Sequence, residues 1–522
     1  MTGIKGKPPK FSIINSMEYI HISPVHLWLF CFFISAIYLL ICTKSSPLYP
    51  FNDWVDANSF FTVGKGMMNG RIPYRDLFEQ KGVLLFFLHG IAYLISNKTF
   101  LGVFFLEVLS FSVFIYFCYK ILSLFIDQKY SLIALPFIAA SVLNLQSFSY
   151  GDSAEEFCLP IIAIGLFCLI KYFKCIFPLP IPFRWILLNG ILAGCTLWIK
   201  FTILGFWIGW MGSIFFFLTL EKNYRRAIYS LLLFLLGILL SSLPWIFYFG
   251  LNHSIQNWLD TYFISNIKYY ATSKPINSII KSMFYQIQKH FHLNPLFCGL
   301  LLLGTTFFAA TKRFFTNPYH RFGILTCGLL LVISVYGGGT SYPYYFLIFS
   351  PFIVLGYVTL FGLIFEEFGK ISSARFFFII IAISIFTTSL YCLKFNQNVY
   401  FLKTDQKDLV QYQFSSKINQ SETSTLLNYG ALDLGFYTTT GITPINRFYC
   451  ISNSRYPGQI EEQNDLIKNK SVEFVVTRLP ISDSINRLEE IPYLYANYRL
   501  IDMKKQGNGG SEFNYFLFER NK

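Results

Sequence analysis

Charge is what this sequence has least of. Asp, Glu, Lys and Arg make up 13% of its 522 residues, about half the ~25% found in soluble domains. So few charges do not cover a water-soluble globule of this length, whereas helices that spend most of their length in lipid need few. Metal-ligand spacing is missing as well. The 11 Cys include no CxxC and no Cys/His arrangement. Most sit inside apolar runs, where they read as small buried hydrophobes rather than a disulfide framework. No glycine-rich nucleotide loop of the Walker or Rossmann type is present, so nothing recognisable cradles a diphosphate.

What is present is apolar and aromatic: 54% hydrophobic residues, with 60 Phe and 34 Tyr. Runs near 20 apolar residues recur, as membrane-spanning helices require. About eleven spans are expected, the first at residues 26–42 and the last at 376–393. The segment 83–96 is short for a span and is expected to lie in the interface as an amphipathic or re-entrant helix. The formal charge of +14 comes from Lys and Arg in short clusters between apolar runs. That pattern serves membrane topology and argues against nucleic acid as a partner. With Lys5, Lys7 and Lys10 ahead of the first run, the N-terminus is expected on the cytoplasmic side. The basic start precedes no small-residue cleavage site, so the first run reads as a retained helix.

After Lys394 the composition turns polar and mixed. Short β-like runs at 425–429, 474–477 and 515–518, with a helical stretch at 459–468, predict a small α/β domain. The expected organisation is a multi-span all-α membrane domain over 1–393 and an extracytoplasmic α/β domain over 394–522.

The segment 49–82, YPFNDWVDANSFFTVGKGMMNGRIPYRDLFEQKG, interrupts this apolar sequence with charge. Topology places it on the outer face, with a second acidic loop, SFSYGDSAEE, at 147–156. Ionisable groups that close to a bilayer are costly and default to a functional hypothesis. The order of first span, Asp-bearing outer loop, GKGMMNGRIPYRD, and KG opening an apolar helix resembles the GT-C fold glycosyltransferases. Within them it is similar to the bacterial protein-mannosyltransferase-like group of family 39. The resemblance runs from Leu27 to about Leu393.

That resemblance implies an inverting hexosyltransferase that uses a polyprenyl-phosphate sugar on the outer membrane face. The acceptor it implies is a cell-wall glycan or a polymer of the teichoic-acid type. It gives the base role to an Asp after the first span, where Asp56 and Asp53 both qualify. Asp56 keeps the better spacing, and helix capping is its alternative role. Lys81 and Lys200 are implied at the donor phosphate, with Tyr345 beside them. Val83 stands where the group's Pro usually follows. Arg71 is a further phosphate candidate, with snorkelling toward lipid headgroups as the equal alternative. Asp152, Glu155 and Glu156 are implied to bind sugar or acceptor, and carboxylates at such spacing can also hold a divalent cation. Membrane lipid is a further expected partner. Two other functions stay open: a flippase of lipid-linked sugars, which would place charges at the midplane of broken helices, and a polysaccharide polymerase.

Overall fold

The computed structural model describes residues 23–270, 275–315, 317–339, 342–368, 373–420, 424–454, 456–508 and 511–521. Lys5, Lys7 and Lys10, on which the sidedness expectation rests, lie outside the described residues. Nine α-helices come first among the described residues: α1 (Pro24–Cys42), α2 (Val55–Met68), α3 (Val83–Ile95), α4 (Leu101–Leu122), α5 (Gln128–Leu143), α6 (Ala154–Lys171), α7 (Phe183–Ile199), α8 (Gly205–Leu220) and α9 (Tyr224–Leu251). Their ends follow local chemistry. Ser23 caps α1, accepting from the His26 N–H at 3.3 Å, and Pro24 fills the first position, where its missing N–H costs nothing. Ser153 caps α6 in the same way, through the Glu156 N–H at 3.1 Å.

Each of the eleven expected spans falls on a helix. Among the described residues, eight helical segments are long and apolar enough to cross a membrane, or nine if one bent pair is a single span. In that pair, Ile276–Leu293 meets Pro295–Ala310 at 114°. Helices α5 and α7, with 16 and 17 residues, are apolar but shorter. The segment 83–96 is the 13-residue α3. Residues 250–294, a polar stretch that the span reading leaves as a long outer segment, are largely helical, including Asp260–Tyr270 and Ile276–Leu293. Their polar residues hid an amphipathic period that a span search does not count.

The last apolar helix, Ala374–Phe395, leads into a four-stranded sheet: β1 (Leu426–Asn428), β2 (Phe474–Pro480), β3 (Tyr498–Asn508) and β4 (Ser511–Arg520). The order is β1-β2-β4-β3, with β1 parallel to β2 and the other pairs antiparallel. Side chains alternate between faces, as the two-residue strand period requires. Leu427, Val475, Phe516 and Phe518 join Ile467 of helix Gln459–Lys468 in one cluster. Leu426, Val476, Tyr515 and Leu517 face the other way and join the core shared with the apolar helices.

The sheet region is fastened to α2. Thr62 donates to Asp433 Oδ2 at 2.7 Å, Thr438 donates to Asn58 Oδ1 at 2.9 Å, and Lys65 Nζ donates to the Tyr437 carbonyl. The Phe78 N–H donates to the Arg447 carbonyl at 2.9 Å. All these side chains on α2 are buried. A helix this short and polar gains its stability from such tertiary contact rather than from propensity.

Candidate active site

Between α1 and α2 the chain folds back so that the Lys44 N–H bonds the Tyr150 carbonyl at 2.9 Å, tying the first loop to the second. The Lys44 side chain is fully buried. Its ammonium lies 2.8 Å from Asp53 Oδ1 and 4.4 Å from the ring centres of Tyr150 and Phe401. Asp53 is thus the counter-ion of a buried cation.

Three residues on, Asp56 has different company. It lies in the first turn of α2, where the helix dipole favours an anion. Trp54 takes the N-cap position and no side-chain cap bond forms, so Asp56 is not the cap. Its Oδ2 is 3.9 Å from Lys81 Nζ and accepts from the Tyr344 hydroxyl at 3.3 Å. Lys81 feels burial, which pulls its ammonium down, but Asp56 and Glu79 outweigh it and hold the group above its usual range. Burial and the nearby Asp56 raise Glu79, against the pull of Lys81. Ser59 donates to Glu79 Oε2 at 2.7 Å. A narrow pocket is lined by Asp56, Glu79 and Lys81 from the loop and by Asp433, Ser452 and Asn453 from the sheet region.

The position of Lys81 is set by Gly82. A Cβ there would meet the Trp198 carbonyl oxygen at 2.0 Å, and the Gly82 N–H donates to the Ile199 carbonyl at 3.1 Å. Only a glycine lets the loop touch the end of α7, and that end delivers Lys200. Lys200 pairs with Glu155 and lies 3.7 Å over the ring centre of Tyr345 and 5.4 Å from that of Tyr344. Both tyrosines open the turn Pro343–Phe352. Asp56, Lys81, Tyr344, Tyr345, Lys200 and Glu155 therefore form one continuous cluster.

The second loop turns sharply at Gly151, φ +87°, where a Cβ would meet Thr43 Oγ1 at 2.0 Å. The turn drives the Asp152 N–H onto Glu107 Oε1 and Glu156 Oε2, both at 2.9 Å. Asp152 Oδ1 bonds His89 Nε2 at 2.8 Å, and His89 Nδ1 faces the Leu85 carbonyl at 2.8 Å. That carbonyl can only accept, so Nδ1 carries a proton and a further proton lies between Nε2 and Asp152. Burial raises the Asp152 carboxyl, and His89 works against it.

The three carboxylates expected to act together thus have separate partners: His89 for Asp152, Lys200 for Glu155 and the Asp152 backbone for Glu156. Among the described residues, no three His, Cys, Asp or Glu side chains stand where they could share a metal ion. Arg71 stands apart from the cluster, on the turn after α2, where its backbone N–H bonds the Gly66 carbonyl at 2.9 Å. Lys44, Glu107 and Asp433 were missed in the sequence. Lys44 and Glu107 carried a signal, being charges at or inside apolar runs.

No family model and no curated protein matches the sequence. Solved structures do. ArnT from Cupriavidus metallidurans bound to undecaprenyl phosphate superposes with a TM-score of 0.61 at 12% identity, over 94% of this chain and 98% of that one. The fold is GT-C. The apo state of the same ArnT gives 0.60 at 11% identity, over 94% and 97%. The archaeal oligosaccharyltransferase AglB from Archaeoglobus fulgidus covers 94% of this chain and 74% of its own, with a TM-score of 0.47 at 11% identity. At such identities the likeness concerns the GT-C fold.

Proposed function

We propose that this protein is an integral-membrane glycosyltransferase that moves a sugar from a polyprenyl-phosphate donor to an extracytoplasmic glycan. The observation that carries this reading is a carboxylate, Asp56, standing between a tyrosine hydroxyl and a lysine, with a second lysine nearby. The ArnT structure bound to undecaprenyl phosphate supports the donor class.

In the proposed reaction an acceptor hydroxyl oxygen attacks the anomeric carbon. The bond from that carbon to the phosphate oxygen breaks, and the phosphate leaves with the electron pair. Asp56 takes the hydroxyl proton as the new bond forms, a role worth about 10²–10⁴ in rate. Lys81 and Lys200 hold the charge that develops on the phosphate, with Tyr345 beneath Lys200. One base and one attack give inversion. Glu155 positions Lys200, and Asp152 and Glu156 shape the loop behind it. Asp53 keeps Lys44 neutralised and holds the loop.

The proposed orientation puts the N-terminus in the cytoplasm and residues 394–522 outside, where Asp433, Ser452 and Asn453 wall the pocket. A cell-wall glycan or teichoic-acid-type polymer is the acceptor class. The test is transfer of radiolabel from a polyprenyl-phosphate sugar by the full-length protein in proteoliposomes. Wild type is expected to transfer, and Asp56→Asn to lose at least about a hundredfold. Full transfer by Asp56→Asn, or vectorial lipid movement without transfer by wild type, would overturn the reading.

A further inference from the structure

Tyr344 also lines a larger cavity of about 540 Å³, within the usual size of small-ligand sites. Its aromatic lining is Trp54, Tyr150, Tyr342, Tyr344 and Tyr400. These rings are arranged as a set. Trp54 stacks on Tyr150 at 6.0 Å and meets Tyr344 edge-on at 5.3 Å, while Tyr342 stacks on Tyr344 at 5.5 Å.

Amide side chains complete the lining: Gln146, Gln397 and Asn398. Two are fixed in place. Asn398 donates to the Cys42 and Ser149 carbonyls at 2.7 and 2.6 Å, and Gln397 donates to the Gln146 and Ser149 carbonyls at 3.3 Å. Among the described residues that line the cavity, none carries a charge. The cations against its lining rings are already paired: Lys44, against Tyr150 and Tyr400, with Asp53, and Lys200, against Tyr344, with Glu155.

Flat aromatic faces beside fixed amides suit a ligand with apolar C–H faces and hydroxyl edges. An anionic polymer would find no cation here to repay its desolvation. We propose that this cavity binds an uncharged saccharide, the acceptor end of the glycan. Tyr344 then joins the two halves of the site, because its ring lines the cavity and its hydroxyl reaches Asp56. The inference rests on the transferase reading for the word acceptor, but not for the word saccharide. It narrows the acceptor class to a neutral glycan and away from a phosphate-rich polymer.

Binding to the full-length protein in nanodiscs, without donor, tests this by titration calorimetry. The probes are chitotetraose, maltotetraose and cellotetraose, set against a glycerol-phosphate tetramer. At least one neutral tetrasaccharide is expected to bind saturably and the glycerol-phosphate tetramer more weakly. Tyr400→Ala is expected to weaken the saccharide about tenfold. Tyr400 is 61% exposed, so this variant should fold. Trp54→Phe, which keeps a ring at the site, should lose less than Trp54→Ala. Three outcomes would overturn the proposal: no binding by any neutral probe at millimolar concentration, tighter binding of the glycerol-phosphate tetramer, or binding indifferent to both Tyr400→Ala and Trp54→Ala. Saccharide binding by a protein that transfers no sugar would instead sink the transferase reading and leave the cavity assigned.

Discussion

Asp53 and Asp56 share a loop, a charge and a distance of three residues, yet their surroundings differ in kind. Asp53 faces a lysine that is wholly enclosed, with aromatic rings around the ammonium. Asp56 faces a lysine and a tyrosine hydroxyl at the wall of a pocket. The first arrangement balances a charge that folding has buried. The second leaves a carboxylate beside space that a substrate can enter. The partner and the adjoining space distinguish their roles, and the density of charge in the loop does not.

The largest expected effect pulls the two apart. Asp53→Asn strands the Lys44 ammonium in the interior, and breaking a buried pair from one side costs about 3–5 kcal/mol. Thermal unfolding in detergent should show that loss, and a smaller one for Asp56→Asn, whose lysine stands 3.9 Å away and is not fully enclosed. The double variant Asp53→Leu/Lys44→Met, with no charge left to strand, should recover most of the stability, since apolar replacement of a buried pair is often neutral. A double variant as unstable as Asp53→Asn alone would mean that the loop needs Asp53 for something other than its charge.

A smaller effect is expected from Tyr344→Phe. The change removes one hydrogen bond to Asp56 and leaves the ring, so about 1 kcal/mol is at stake. That corresponds to roughly a fivefold fall in kcat. Acceptor KM should hold, because the cavity keeps its aromatic face. A rise in KM with kcat intact would move Tyr344 from the proton-transfer side of the site to the binding side.

The contrast between the two aspartates also marks how far the sequence could be read. The loop at 49–82 stood out because charge is rare in this chain, and the multi-span helical fold followed from apolar runs of the right length. Which aspartate faces a pocket was not legible. Asp53 meets a lysine nine positions away, but the Asp56–Tyr344 contact joins residues 288 positions apart. Among the described residues, helix length supports eight or nine of the eleven expected spans, and the other two are the short apolar helices α5 and α7, because hydropathy registers apolar composition more readily than helix length. The bend of 114° after Leu293 has no apolar signature. The acidic loop at 147–156 was legible as a cluster but not as three separately partnered groups, since His89, Lys200 and Glu107 approach it from three different helices or helix ends. The wall from Asp433 to Asn453 gave no sequence signal at all, as its polar residues look like any surface.

That wall supplies an effect read through pH, and a buried lysine and aspartate to set beside the other two pairs. Lys65 and Asp433 are both buried where α2 meets the sheet region. Burial lowers Lys65 to about 7, with Asp433 opposing and Lys98 adding to the fall. Burial raises Asp433 to about 6, opposed by its bonds from Thr62 and Gly435 and by Lys65. Between pH 7 and 10 the unfolded lysine holds a proton that the folded one has lost, so stability should rise with pH, by at most about 1.4 kcal/mol per unit. Between pH 4 and 6 the folded Asp433 holds the extra proton, so stability should fall as pH rises. The docking of α2 on the sheet should therefore be weakest between pH 6 and 7. Hydrogen exchange at α2 and β1, followed against pH, would show it. Lys65→Met should remove the rising limb alone and Asp433→Asn the falling limb alone. Unlike Lys44 and Asp53, this pair holds its two halves together most weakly near neutrality, and a profile in which either variant flattened both limbs would show that the two residues titrate as one group.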